Sequence, residues 1–313
     1  MNEKMARQIA EAKKQTIGVE IEMNGITRSR AAKVAADFFG TGRYRDTAGR
    51  NGYCTWSAWD ADGREWKFQR DVSIEGPDSE KCELVTPILT YADIETLQQL
   101  VRQLRHAGAK SDAGRGCGVH IHIGAKGHTP QSLRNLANIM AGHESLIAEA
   151  LNLDGRRMSR YCRTVDPRFL EQLNKKKPQT MAQLADIWYG SHGAGYNRSA
   201  HYNDSRYHML NYHATFTKAT VEFRLFQFDA PADGKRNGLH AGQLKGYIQF
   251  CLLLSQMAKE LKSASPKPQQ HENPKYAMRT WLLRLGFIGD EFKTAREVLT
   301  RRLSGDASFR NGR

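Results

Sequence analysis

The stretch Thr16–Asn24, TIGVEIEMN, sets Ile17, Val19 and Ile21 against Glu20 and Glu22 at every second position. That alternation predicts a strand, because successive strand side chains point to opposite faces. Glu20 and Glu22 then share one face, roughly 7 Å apart along the strand. Like charges placed so close repel, so their face either meets bulk water or holds a cation. With the apolar set burying the other face, the question becomes what else in the chain points at the two carboxylates.

Three further segments repeat the device. In Gly118–Gly124, GVHIHIG, His120 and His122 alternate with Val119, Ile121 and Ile123, and in Val221–Leu225, VEFRL, Glu222 and Arg224 share a face. Cys82–Pro87, CELVTP, holds Glu83 in an otherwise apolar run. Each of these residues alone is an ordinary exposed or satisfied side chain. Together, four carboxylates, two imidazoles and a guanidinium on strand interiors are costly to bury unless ions occupy the space between them. A mostly oxygen ligand set with an imidazole suits Mg²⁺ or Mn²⁺ rather than structural zinc, and Mg²⁺ usually travels with a phosphate. Arg224 can then compensate a transferring phosphoryl group or grip a substrate carboxylate.

The segments GVEIE, CELVTP, GVHIHIG and TVEFRLF, in that order between Gly18 and Phe228, resemble the carboxylate-amine ligase superfamily of glutamine synthetase and glutamate-cysteine ligase, and within it the amidoligase branch. The resemblance implies an antiparallel sheet shaped as a funnel, in which ATP and Mg²⁺ meet a carboxylate. That carboxylate is phosphorylated to an acyl phosphate and then attacked by an amine. Carried over position by position, Glu20, Glu22, Glu83, His120 and Glu222 match the metal ligands, while His122 and Arg224 match phosphate-contacting, catalytic positions. Asp71 and Ser73, in RDVSIEG, resemble an Asp-x-Ser element that touches substrate amine or metal, although a strand-end cap explains them equally well. Glu75 competes with Glu83 as the ligand. Arg206 and Asn211, in RYHMLN, resemble an Arg…Leu-Asn element assigned to nucleotide or substrate. Arg160, Tyr161 and Arg163 line the acceptor side or the plain surface, and Gly114–Gly118 is a candidate phosphate turn. The stretches that shape amino-acid specificity in glutamine synthetase are not recognisable, so glutamate is not assumed as the acid.

Around these motifs the pattern predicts an α+β fold: a mostly antiparallel sheet flanked by helices, without regular βαβ alternation. Residues 1–15 and 29–39 read as helices, the latter ending at Gly40 ahead of a loop over 41–51. Residues 53–59 and 65–72 form a hairpin around Asp60-Ala61-Asp62-Gly63. Helices follow over 91–107 and 130–153, shorter helical pieces over 155–188, and a loop over 189–206. A second hairpin pairs 208–216 with 220–228, and 238–261 is a long helix. The division is a catalytic domain over 1–262 and, over 263–313, a Pro/Ser/Gln linker with a basic helical tail at 276–303.

The 313-residue chain is 40% hydrophobic, enough for a core. It has no run of 18 apolar residues and no signal-like leader, so neither a membrane span nor a secretory signal is indicated and a cytoplasmic location is expected. Five scattered cysteines without a CxxC pair read as free thiols. The net charge of +14 favours an anionic partner, including an anionic macromolecule met through the basic surface. Small-molecule or peptide acids and amines are the expected substrates; oligomeric state is not specified. Two other readings stay open. One is a metal-dependent hydrolase using His120 and His122. The other is a nucleic-acid-binding protein using the charge and Trp56, Trp59, Trp66 and Phe68, against which those aromatics alternate as hairpin core should.

Overall fold

The computed structural model describes residues 2–50, 52–230, 238–268 and 270–309. Asn51 of the expected loop, Gln269 of the expected linker and residues 310–313 of the tail therefore lie outside the described residues. In chain order the elements are α1 (Glu3–Lys13), β1 (Ile17–Met23), α2 (Arg28–Phe38), β2 (Tyr44–Asp46), β3 (Trp56–Trp59), β4 (Glu65–Gln69), β5 (Cys82–Val85), α3 (Ile94–His106) and β6 (Val119–Gly124). Then come α4 (Pro130–Leu151), α5 (Gly155–Arg160), α6 (Pro167–Lys176), α7 (Met181–Ser191), β7 (Leu210–Asn211), α8 (His213–Lys218), β8 (Thr220–Phe226), α9 (Ala241–Glu260), α10 (Pro274–Leu285) and α11 (Lys293–Thr300). Strand pairs run antiparallel and helices flank them, so the fold is α+β. Among the described residues, no helix is long and apolar enough to cross a membrane.

The chain forms two compact units, and β6 and β8 each pass from one to the other. The first unit comprises residues 16–121 and 226–245. In it β5 lies between β1 and β4, with Glu22 opposite Glu83 and Glu83 opposite Gln69. β1 buries Ile17, Val19, Ile21 and Met23 almost completely, as its alternation requires. The hairpin of β3 and β4 turns through Asp60, whose Oδ1 accepts from the backbone N–H groups of Asp62 and Arg64. α2 packs on β3, β4 and α3. Trp66 and Phe68 are fully buried in this hairpin, so neither ring offers a face to a base.

The second unit comprises residues 1–15, 122–225 and 246–313. Its spine is α4, started by Pro130 and by a capping box in which Thr129 and Ser132 satisfy each other's backbone N–H groups. α6 and α11 pack on α4, and α10 packs on α11.

Two local expectations give way, and a third gains detail. The predicted strand over 208–216 is only Leu210–Asn211, followed by the helical turn α8. Asn211 ends it, because its Oδ1 accepts from the His213 N–H and diverts the backbone from the ladder. The helical tail expected over 276–303 is made of two helices, α10 and α11, the first ended at Gly286, whose φ is +111°. The predicted loop over 41–51 contains β2, whose exposed Tyr-Arg-Asp carries no alternation to read.

Candidate active site

In the first unit, strand register concentrates negative charge. Glu22, Glu83 and Gln69 stand in one row across β1, β5 and β4. Gln69 Nε2 donates to Glu83 Oε2 at 2.8 Å, which satisfies one oxygen of Glu83 and aims the other. Glu22 is fixed by the Gly118 N–H, 2.5 Å from Oε2, and Ser111 donates its hydroxyl to the Glu22 carbonyl. His120 lies between the two carboxylates of β1, with Nδ1 3.0 Å from Glu20 and Nε2 3.9 Å from Glu22. Asp71 comes in from the loop after β4, its Oδ1 accepting from both the N–H and hydroxyl of Ser73.

Two overlapping ligand sets result, each with its donor atoms within 4.8 Å of one another: Glu20, Glu83 and His120, and Glu22, Asp71 and Glu83. Glu83 belongs to both. Glu22, Glu83 and His120 are buried. Burial, then the charges of Glu20, Asp71 and Glu22, push the Glu83 carboxyl well above the usual carboxylate range. That shift favours the protonated carboxyl at Glu83 when no cation is bound. Carboxylate oxygens with an imidazole fit a hard divalent cation that can displace that proton. Glu75, the competing ligand, is exposed, and its backbone serves the fold by pairing with Arg115 and Asn24.

In the second unit, β7 and β8 set Asn211 opposite Glu222. Both oxygens of Glu222 are engaged: Asn211 Nδ2 donates to Oε2 at 2.6 Å and Arg224 Nη1 to Oε1 at 2.5 Å. His122 Nε2 lies 3.8 Å from Glu222 Oε1, and its Nδ1 is 2.9 Å from the Thr220 hydroxyl. Arg224 is buried and passes over the Tyr207 ring, and the equally buried Arg157 donates to its carbonyl. This is a clamped carboxylate with cationic neighbours, a surrounding that suits a phosphoryl or carboxylate group.

Beside it opens a cavity of about 210 Å³ lined by Arg206, Asn211, His213, Lys218 and Glu222. The Arg206 guanidinium covers Tyr202 and Tyr207 and donates to the His201 carbonyl. His213 is pinned by Tyr189 and the Ala200 carbonyl, and burial lowers its pKa, so the ring is neutral with Nε2–H donating to Ala200. Arg163 is exposed and bonds the Tyr207 carbonyl, while Arg160 covers Tyr161 on the surface. Within Gly114–Gly118, Gly116 is required by a φ of +68° and by the Ser73 carbonyl, 2.7 Å from where a Cβ would sit.

The structure thus gathers Glu20, Glu22, Asp71, Glu83 and His120 in one unit and His122, Arg206, Asn211, Glu222 and Arg224 in the other. Sequence reading missed Gln69, Thr220, Arg157 and Tyr207. Thr220 and Tyr207 stand inside TVEFRLF and RYHMLN without a role read for them, Gln69 and Arg157 stand outside any motif, and only the cross-strand register could have found Gln69.

A family model described as "Putative amidoligase enzyme" matches residues 13–255, and the chain belongs to this amidoligase family. No curated protein matches the sequence. Among solved structures, that of a bifunctional glutathione synthetase from Pasteurella multocida aligns with 96% of this chain and 49% of its own length, at 13% identity and a TM-score of 0.43. The chain therefore spans about half the length of that enzyme.

Proposed function

We propose that this member of the amidoligase family is an ATP- and Mg²⁺-dependent ligase that joins a carboxylate to an amine, with Mn²⁺ as an alternative metal. The observation that supports this best is the buried row of Glu22 and Glu83 with Asp71 and Glu20 around it, a cluster that is costly without a cation. In this reading Glu20, Glu22, Glu83 and His120, with Asp71, hold metal in the first unit, and Glu222 holds it in the second. The metal would neutralise charge on a transferring phosphoryl group. Arg224, braced by Glu222, presents its guanidinium to phosphate, and Thr220 orients His122 for the same task. Arg206, Asn211 and the cavity beside them take nucleotide or substrate.

The chemistry balances as two displacements. An oxygen of the substrate carboxylate attacks the γ-phosphorus and ADP leaves; the amine nitrogen then attacks the acyl carbon, loses its proton, and phosphate leaves. The acids and amines are small molecules or peptides. Cysteines that form no disulfide fit a cytoplasmic enzyme. The test is incubation of the purified chain with ATP, Mg²⁺ and pooled acids and amines, read by mass spectrometry for two components joined with loss of water. Ligation should appear with ADP and phosphate. A chain that gains no thermal stability from ATP with Mg²⁺ fails the proposal at its first step.

A further inference from the structure

A second cavity, of about 560 Å³, lies in the second unit among α4, the C-terminal end of α9, the linker and α10. Most of its lining follows residue 255, beyond the part of the chain that matches the amidoligase family. The linker is a fixed wall of it. Amides on successive turns of α4 hold linker carbonyls: Gln131 binds Lys262, Asn135 binds Leu261, and Asn138 binds Ala264. At Gly142 the backbone comes so close that an added Cβ would stand 3.5 Å from the carbonyls of Ser265 and Lys267.

The lining has two characters. Leu146 and Met257 give apolar walls, and His143 stacks on Trp281 with 3.9 Å between ring centres and 15° between planes. Its polar side chains are Ser265, Tyr276 and Thr280 with the basic His143, His271 and Arg284, and among the described residues no carboxylate lines it. His143 Nδ1 donates to the Ile139 carbonyl at 2.8 Å, and burial lowers the pKa of its ring. Arg284, an exposed side chain, borders this mixed polar and apolar space, which is of the size that takes a small organic ligand and offers it a fork donor.

We propose that this cavity binds a small organic anion, an aromatic or medium-chain carboxylate whose apolar body lies against Trp281 and Leu146 and whose charged group meets Arg284. The inference does not depend on the ligase reading. It is tested on the full chain with 2-naphthoate as probe, by calorimetry and by quenching of tryptophan emission, with 2-naphthalenemethanol as the uncharged counterpart. Saturable binding of the acid is expected, weakened about tenfold or more in Arg284→Gln, since charge-assisted hydrogen bonds are among the stronger ones. Ala277→Phe should abolish binding by filling the space, and Arg206→Gln, which borders the other cavity, should leave it unchanged. Melting curves establish that each variant is folded; if Ala277→Phe is not, Arg284→Gln and the alcohol decide. The proposal is overturned by absence of saturable binding, by equal affinity for acid and alcohol, by unaltered binding in Arg284→Gln, or by loss in Arg206→Gln.

Discussion

Glu83→Gln should stabilise the metal-free protein and at the same time remove its response to divalent cations. Glu83 shares two ligand sets whose donor atoms lie within 4.8 Å of one another. At an effective dielectric of about 20, one pair of like charges at that distance costs roughly 3 kcal/mol. Burial first, and then these repulsions, favour the protonated carboxyl and raise its pKa above the ordinary 4.5. A raised carboxylate contributes its full stability below the ordinary value and loses it as pH climbs through the folded value, because the unfolded chain releases the proton earlier. The metal-free wild type should therefore melt progressively lower across neutral pH. Gln at position 83 keeps an oxygen to accept from Gln69 Nε2 and carries no charge. It should raise stability at pH 8 by roughly 1–3 kcal/mol, or about 2–6 °C in a chain of this size, and change little at pH 4.5. The assay is a thermal melt after chelation, from pH 4.5 to 8.5, with and without MgCl₂ or MnCl₂. In the wild type the cation-induced shift should grow with pH, since the ion must displace the proton of Glu83; in the variant it should vanish. The reasoning is refuted if Glu83→Gln melts lower than wild type by the same margin at every pH, or if it keeps the wild-type cation response.

Three further outcomes follow from particular contacts. Glu20→Ala and Glu222→Ala should each abolish acid-dependent ADP release, and Arg224→Gln should also lower the melting temperature by leaving Glu222 buried without its guanidinium, as ADP release and melts of the three variants beside wild type will show. Glu144 is buried on α4, accepts from the Val165 N–H, and has its pKa pushed up to about 7 by burial; Glu144→Gln should gain up to about 3 kcal/mol in urea melts at pH 8 and almost nothing at pH 4.5, the sign following from a raised carboxylate. Gly116→Ala should cost roughly 1–3 kcal/mol by thermal melt, because φ is +68° and the Ser73 carbonyl occupies the space of a Cβ; the shift of the Asp71–Ser73 loop should also weaken the response to Mg²⁺.

The fold class was legible because period-two alternation survives in β1, β5, β6 and β8, where one face must be apolar and the other polar. Helices were legible where caps mark them, as at Thr129-Pro130 and at Gly40 after α2. Loss came where tertiary contacts overrule local pattern. The run over 208–216 looks strand-like, yet Asn211 is its last ladder residue: opposite Glu222, its side chain accepts from the His213 N–H and grips Glu222. The same residue that spoils the secondary-structure reading is the one that fixes a candidate site carboxylate. Local sequence preference was given up there in exchange for geometry at Glu222, and such an exchange marks a functional position more strongly than the motif itself does.

The site divides the same way. Glu20, Glu22, Glu83, His120, Glu222 and Arg224 could be found from sequence because chemistry that needs like charges side by side must place them at alternate positions of apolar strands, against the ordinary economy of burial. What aims them could not. Gln69 becomes meaningful only once β4 is known to lie beside β5 in the register that puts it opposite Glu83, and a one-residue slip would turn it to the other face. The polar residue that steers Glu83 thus rests on the Asp60 turn, which sets how β4 returns along β3, and through β4 on the hairpin core of Trp66 and Phe68. Burying those aromatics is therefore a positioning act as well as a stabilising one: the rings that look in sequence like a surface for bases hold the strand that orients a candidate-site carboxylate.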